Sequence, residues 1–213
     1  MFEEFKQKLK RQLSQELPGE EAHLMMMPTA RDESFKFPIY KKAPVESAVL
    51  VLFYSDGSGN IKFPLIQRPT YNGAHSGQIS FPGGKAEKSD RDLVHTALRE
   101  AAEEIGIIPE DVDVVGRLSE LHIAISNFVV TPVVGFMTKK PQFVMDMQEV
   151  EEVIEADLHD IIKPEKRKEG MIVIREKYKI QTPYFDIGNR VVWGATAMML
   201  NELSVMIKEA ELK

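Results

Sequence analysis

The sequence predicts an α/β fold: a mixed β-sheet covered by helices, with an amphipathic N-terminal helix before it and a C-terminal helix at its end. Apolar and β-branched runs of strand length, at 47–54, 61–67, 112–121 and 128–137, are separated by polar or glycine-rich turns. Two longer segments, 94–105 and 193–211, instead repeat apolar residues at helical spacing. The 213 residues are 43% hydrophobic and 28% charged, enough for one sizeable core. The expected division is an N-terminal helix and irregular lead-in over residues 1–45, then a single domain over 46–213.

Phe2, Phe5, Leu9 and Leu13 recur at intervals of three and four, which predicts a short amphipathic helix ending before Pro18 and docking onto the domain. The stretch from Met25 to Pro44 is punctuated by proline and reads as an irregular lead-in. Ser47–Tyr54 and Ile61–Gln67 flank the turn cluster Asp56-Gly57-Ser58-Gly59-Asn60 and predict a hairpin. Residues 69–80 form a loop with Gly73 and Gly77. Val112–Leu121 and Phe128–Met137 are strands, and Pro132 implies a bulge or an edge in the second. In Gln148–Leu158 helix and strand compete, with a strand and a loop ending near the site as the expected role. Met171–Ile180 and Tyr184–Ile187 read as another hairpin. Trp193 is expected as a core anchor, and Ala197, Leu200, Leu203 and Ile207 mark a terminal helix packed on the sheet.

Composition removes several functions. The net charge of −6 leaves no broad electrostatic footprint for nucleic acid. A small anionic substrate must therefore be held by local cations and metal. The absence of cysteine excludes disulfides and thiolate metal sites. The opening MFEEFKQKLKRQL has no continuous apolar run, so neither a signal peptide nor a membrane partner is expected, and the ending Glu211-Leu212-Lys213 is not a peroxisomal address. The expected compartment is the cytoplasm.

The chemistry concentrates in 81–107, FPGGKAEKSDRDLVHTALREAAEEIGI. At about 100° per residue, Glu100, Glu103 and Glu104 share one arc, while Val94, Leu98, Ala101, Ala102 and Ile105 share another centred about 150° away. Like charges at these spacings repel, so the acidic arc gains by holding a cation. Hard oxygen ligands suit Mg²⁺ or Mn²⁺ better than zinc. Taken alone, the glutamates also fit a solvated charge face. Gly83-Gly84 allows a tight turn whose N–H groups approach an anion.

The block Arg99-Glu100-Ala101-Ala102-Glu103-Glu104-Ile105-Gly106-Ile107, preceded by that glycine pair, resembles the Nudix box. The resemblance implies an α/β/α sandwich and divalent ions, Mg²⁺ or Mn²⁺, held by Glu100, Glu103 and Glu104. It also implies a diphosphate substrate attacked directly by water, with Arg99 orienting a glutamate and Gly84 giving a backbone carbonyl or a close approach. Glu149, with Glu151 and Glu152 behind it, is the candidate for a further ligand or general base from a later loop, and a solvated acid fits each equally. Gly84 lies fifteen residues before Arg99, one more than in the family's box. Arg91 stands where the box has an early acid; Asp90 and Asp92 flank it, and the loop is read as carrying one extra residue.

Residues 65–85 are similar to the signature of the coenzyme A pyrophosphatase branch, with Arg68, Gly77 and Phe81-Pro82-Gly83-Gly84 matching. Pro69 and Gly73 depart from it, the latter standing where the branch has a second arginine. Thr96-Ala97-Leu98, Val130–Gly135 and Trp193–Ala197 support the same branch. It implies coenzyme A cleaved to 3′,5′-ADP and 4′-phosphopantetheine, with Arg68, Gly83, Gly84 and His75 on the substrate side; for His75 a loop-ordering hydrogen bond is equally open. The alternatives are another nucleoside diphosphate derivative, such as ADP-ribose, a nucleotide sugar or an oxidised nucleotide, and, behind it, a non-catalytic ligand sensor. His95 is expected to be structural, and His23, His122 and His159 share no ligand spacing. Exposed strands and the methionine-rich lead-in leave room for a homodimer.

Overall fold

The computed structural model describes residues 2–31, 38–70, 76–174 and 178–211. In chain order the helices and strands are α1 Phe2–Leu13, α2 Gly19–Leu24, β1 Ala30–Arg31, β2 Val45–Ser55, β3 Ile61–Gln67, β4 Ile79–Ser80, β5 Gly83–Lys85 and α3 Leu93–Ile105. They continue with β6 Asp113–Arg117, β7 Leu121–Ile123, β8 Phe128–Phe136, β9 Glu152–Asp157, α4 His159–Ile162, β10 Arg167–Ile174, β11 Tyr178–Ile187, β12 Arg190–Trp193 and α5 Gly194–Glu211.

β2 organises the larger, mixed sheet. It runs parallel to β8 from Val45↔Phe128 to Phe53↔Phe136, and antiparallel to β5 at one end and β3 at the other. Its side chains alternate between two cores. Ala48, Leu50, Leu52 and Tyr54 meet Ala97, Ala101 and Ile105 of α3, while Val51 and Phe53 join Leu9 of α1 and Leu200 and Leu203 of α5. A strand buried on both faces reads as a continuous apolar run, as SAVLVLFY does. The result is the expected layering, with α3 on one face and α1 and α5 on the other. A smaller antiparallel sheet pairs β10 with β11, and β11 in turn with β1 and β12. Phe2 and Phe5 dock α1 onto Phe136 and Phe53 at ring separations of 5.6 and 5.2 Å.

Pro132 departs from expectation, and a second proline is accommodated in the same way. β8 is an interior strand, yet it holds Pro132 without a bulge of its own, because β6 hands over to β7 opposite that residue. The paired registers end at Arg117↔Val133 and resume at Leu121↔Val130, and Leu118 N–H reaches the Pro132 carbonyl at 2.9 Å on that side. The missing N–H faces the interruption. Pro183 repeats the device inside β11, between the residues paired by β1, up to Gln181, and those paired by β12, from Tyr184. The expected hairpin of 171–187 is corrected accordingly: Thr182-Pro183 is mid-strand, and β10 and β11 pair antiparallel from Arg167↔Phe185 to Ile174↔Tyr178. Gln148–Leu158 resolves into a turn followed by β9, which pairs with β3. Trp193 is no core anchor; it ends β12, only partly buried, and lines a cleft.

Candidate active site

α3 is fixed at both ends by its own sequence. The Asp92 carboxylate accepts the His95 N–H at 2.8 Å as N-cap, and Gly106 takes the left-handed conformation (φ 71°) as C-cap. With Ala97, Ala101 and Ile105 fully buried, the three glutamates fall on a gradient of exposure. The Glu103 side chain is 57% exposed, Glu100 15% and Glu104 1%. They are not one solvated face.

The glycine pair explains how two carboxylates come inside. β5 lies so close to β2 that a Cβ on Gly83 would stand 2.3 Å from the Ala48 carbonyl, and its φ of 150° suits glycine alone. This places the Gly83 N–H 2.7 Å from Glu104 Oε2. Arg68 donates to the Gly83 carbonyl at 3.1 Å and faces Glu104 Oε1 at 3.6 Å. Gly84 serves its neighbour: a Cβ there would lie 2.4 Å from the Glu100 carboxyl. Of the residues expected on the substrate side, Arg68, Gly83 and Gly84 therefore stand together beside the glutamates. His75 and Gly73 lie outside the described residues.

Arg99 is a hub. Its Nε and Nη2 each donate to Asp90 at 2.9 Å, Nη2 also reaches the Lys85 carbonyl at 3.2 Å, and Nη1 is 3.0 Å from both Glu100 Oε1 and Glu103 Oε2. Asp90, whose side chain is 2% exposed, also accepts from Thr96 Oγ1, from the Glu87 N–H and from the His95 ring, each at 2.9 Å. Counted back from Arg99, the early acid of the box falls on Arg91. The structure puts Asp90 in the pairing position, so the additional residue falls between Asp90 and Arg99. Arg91 is exposed. The available signal was a count forward from Gly84.

These contacts set the charges. The hydrogen bond from Arg99 holds Asp90 well below the usual carboxylate range, and the same bond raises Arg99. Burial raises Glu100 despite Arg99, with Glu103 and Glu149 adding repulsion. Burial pushes Glu104 up to about 7; Arg68 and the Gly83 N–H oppose this, while Glu100 and Glu149 reinforce it. Glu149 arrives on the loop after Met145, which is tied to the end of α3 by Asp146 N–H to the Glu104 carbonyl and Val144 N–H to the Ile105 carbonyl, both 3.0 Å. Among the described residues no three acidic or histidine side chains already converge as a ligand set. The donor chemistry nonetheless fits a hard divalent ion: Glu100 and Glu104 repel each other in a partly desolvated place, the exposed Glu149 adds to that repulsion, and Glu103 is exposed and held by Arg99.

A cleft of about 510 Å³ is lined by Gly83 and Gly84, by Met27 of the lead-in, and by Trp193 and the start of α5. Arg68 and Lys85 stand at the glycine end.

A family model described as the NUDIX domain matches residues 44–176. Over 164 residues the chain is 39% identical to "Nudix hydrolase 15, mitochondrial" of Arabidopsis thaliana, covering 74% of this chain and 56% of that protein. It is 37% identical over 135 residues to "Uncharacterized Nudix hydrolase NudL" of Pectobacterium atrosepticum, covering 63% and 69%. The chain thus spans little more than half of the plant relative. The crystal structure of a MutT protein from Methanosarcina mazei Go1 superposes with a TM-score of 0.51 at 17% identity, covering 82% of this chain and 100% of that one, and shares the fold. No helix among the described residues is long and apolar enough to cross a membrane. With the family model covering most of the chain and the glutamate helix, glycine pair and sheet arranged around one site, the chain belongs to the Nudix domain family.

Proposed function

We propose that this chain is a divalent-metal-dependent pyrophosphohydrolase whose substrate is coenzyme A or a derivative, split into 3′,5′-ADP and 4′-phosphopantetheine. The observation that carries the proposal is Glu104, a carboxylate buried against Gly83 with another, Glu100, packed beside Gly84, both destabilised in their charged forms. Buried like charges of this kind are arranged for a cation. Glu100, Glu103 and Glu104 would hold Mg²⁺ or Mn²⁺, with Glu149 as a further ligand or general base. When bound, the ion supplies a polarised phosphoryl oxygen and a more acidic water.

The chain's own residues do the rest. Arg99, fixed by Asp90, orients Glu100 and Glu103 and anchors the end of β5 through the Lys85 carbonyl. Arg68 positions Gly83 and Glu104, which leaves Lys85, among the described residues, as a nearby side-chain cation with no such duty. Water adds to one phosphorus, the bond from that phosphorus to the bridging oxygen breaks, and the water proton passes to a carboxylate, for which Glu149 is the candidate. The branch signature at Arg68, Gly77 and Phe81–Gly84 supports coenzyme A. The departures at Pro69 and Gly73 favour a second reading, hydrolysis of another nucleoside diphosphate derivative such as ADP-ribose. A cytoplasmic location and a homodimer belong to the same proposal, to be read by fractionation and sedimentation.

Purified protein with Mn²⁺ is expected to release 4′-phosphopantetheine from coenzyme A faster than it cleaves ADP-ribose or a nucleotide sugar. Glu103→Gln should lose most of that rate while staying folded. No cleavage of any member of the panel would sink the enzyme reading.

A further inference from the structure

The Asp90 carboxylate that pairs with Arg99 is held unequally at its two oxygens. Oδ2 accepts from Arg99 Nη2, from Thr96 Oγ1 and from the Glu87 N–H. Oδ1 accepts from Arg99 Nε and, among the described residues, from one other group, His95 Nδ1, each at 2.9 Å. Asp90 is ionised and can only accept, so this contact requires a proton on Nδ1. His95 precedes Arg99 by one helical turn, which brings the ring and the guanidinium side by side onto the same oxygen.

Arg99 has no N–H group left over. Nε and Nη2 meet Asp90, Nη2 also meets the Lys85 carbonyl, and Nη1 lies 3.0 Å from both Glu100 Oε1 and Glu103 Oε2. A two-point pair with a carboxylate ties the guanidinium plane to the carboxylate plane. If Asp90 turns about its Cβ–Cγ bond, Arg99 therefore turns with it and Nη1 leaves both glutamates. Thr96 and the Glu87 N–H resist that turn at Oδ2, and at Oδ1 the resistance comes from His95.

Resting on the diphosphatase reading, we propose that His95 is a positioning residue for the hydrolytic site: through Asp90 it fixes the plane of Arg99 and, with it, the places of Glu100 and Glu103. A ring that merely filled space would be replaceable by any side chain of similar size. A donor at the place of Nδ1 is not.

That difference is testable, because asparagine carries its amide nitrogen where histidine has Nδ1, whereas glutamine carries it one carbon farther out. With Mn²⁺ and whichever diphosphate is cleaved fastest, His95→Asn should keep kcat within about twofold, while His95→Gln and His95→Ala should each lower it about tenfold with KM little changed. The His95 side chain is 37% exposed and borders an open groove with Arg91 and Leu98, so all three variants should fold, which circular dichroism checks. A second readout needs neither metal nor turnover. In the metal-free protein the Arg99 Nε–H resonance, assigned in ¹H–¹⁵N spectra by its loss in Arg99→Lys, should persist in His95→Asn and shift or broaden in His95→Gln and His95→Ala. An unmoved resonance in His95→Ala, or a kcat for His95→Asn as low as that of His95→Ala, would overturn the role. If the resonance responds as expected and no diphosphate is cleaved, the hydrolase reading falls and the positioning of Arg99 stands. If cleavage is normal in every variant, the positioning falls alone; if nothing is cleaved and the resonance never moves, both fall.

Discussion

Two buried glutamates in this chain sit in opposite electrostatic states. Glu202 on α5 is fully buried, yet it is held below the usual carboxylate range. Burial works to raise it, but the His23 ring at 2.8 Å from Oε2 and the Ser119 N–H at 3.1 Å from Oε1 outweigh that. Glu104 on α3 is buried to the same degree and is pushed up to about 7, because one N–H and an arginine at 3.6 Å do not offset burial and two neighbouring carboxylates. Burial alone therefore does not decide what a carboxylate is for. Glu202 is satisfied by the protein and pins the lead-in to α5. Glu104 is left short of positive charge, beside other acids, behind the glycine pair.

The largest effect should come from breaking the satisfied pair. Glu202→Ala leaves His23 and the Ser119 N–H buried without their acceptor, which should cost about 3 kcal/mol of folding stability or more. Urea denaturation measures it, and the rate per folded molecule should fall far less than the stability. Glu104→Gln should invert that pattern. The amide oxygen still accepts from Gly83, so the metal-free protein should melt at no lower temperature, whereas activity should fall at least about 100-fold. Mn²⁺ should raise the Tm of the unaltered protein and not that of the variant. A metal-free Glu104→Gln protein that melts well below its parent would make Glu104 structural, as Glu202 is.

Gly84→Ala sharpens the same contrast within the site. Its Cβ would meet the far end of the Glu100 side chain, not backbone, so the side chain is displaced while the fold stays. Misplacing one carboxylate in this way should lower kcat/KM about tenfold with little change in Tm. Wild-type kinetics in the variant would show that the position of Glu100 is immaterial.

The two sites also differ in how far they were legible. Helical spacing brought out Glu100, Glu103 and Glu104 and the apolar stripe of α3, because that information is local. It did not separate them by exposure, since Glu104 is buried by β5, a strand reached only through the fold. Asp90 stands out from Asp92 only in the fold, because an extra residue between it and Arg99 shifts the box's count. Pro132 reads as a bulge or an edge, but it sits, as Pro183 does, where one neighbouring strand gives way to another, a property of the partners and not of the strand. The pairing of His23 with Glu202 spans 179 residues and has no spacing signature. Trp193 looked like a core residue by type, yet the cleft it lines is built from chain segments far apart in sequence.

The smallest effect tests the sign of the Glu202 shift. A carboxylate whose folded pKa lies below its unfolded value of about 4.3 adds stability that is complete above that value and is lost as pH falls through the folded one. Glu202→Gln lacks this contribution. The gap in Tm between the unaltered protein and Glu202→Gln should therefore be constant near neutrality and narrow by about 2–4 °C on acidification below pH of about 4.3, if the shift contributes about 1 kcal/mol. Thermal melts of both proteins across that range measure it. A gap that widens in acid would mean that Glu202 is raised by its burial, as Glu104 is, and that the His23 contact does not compensate it.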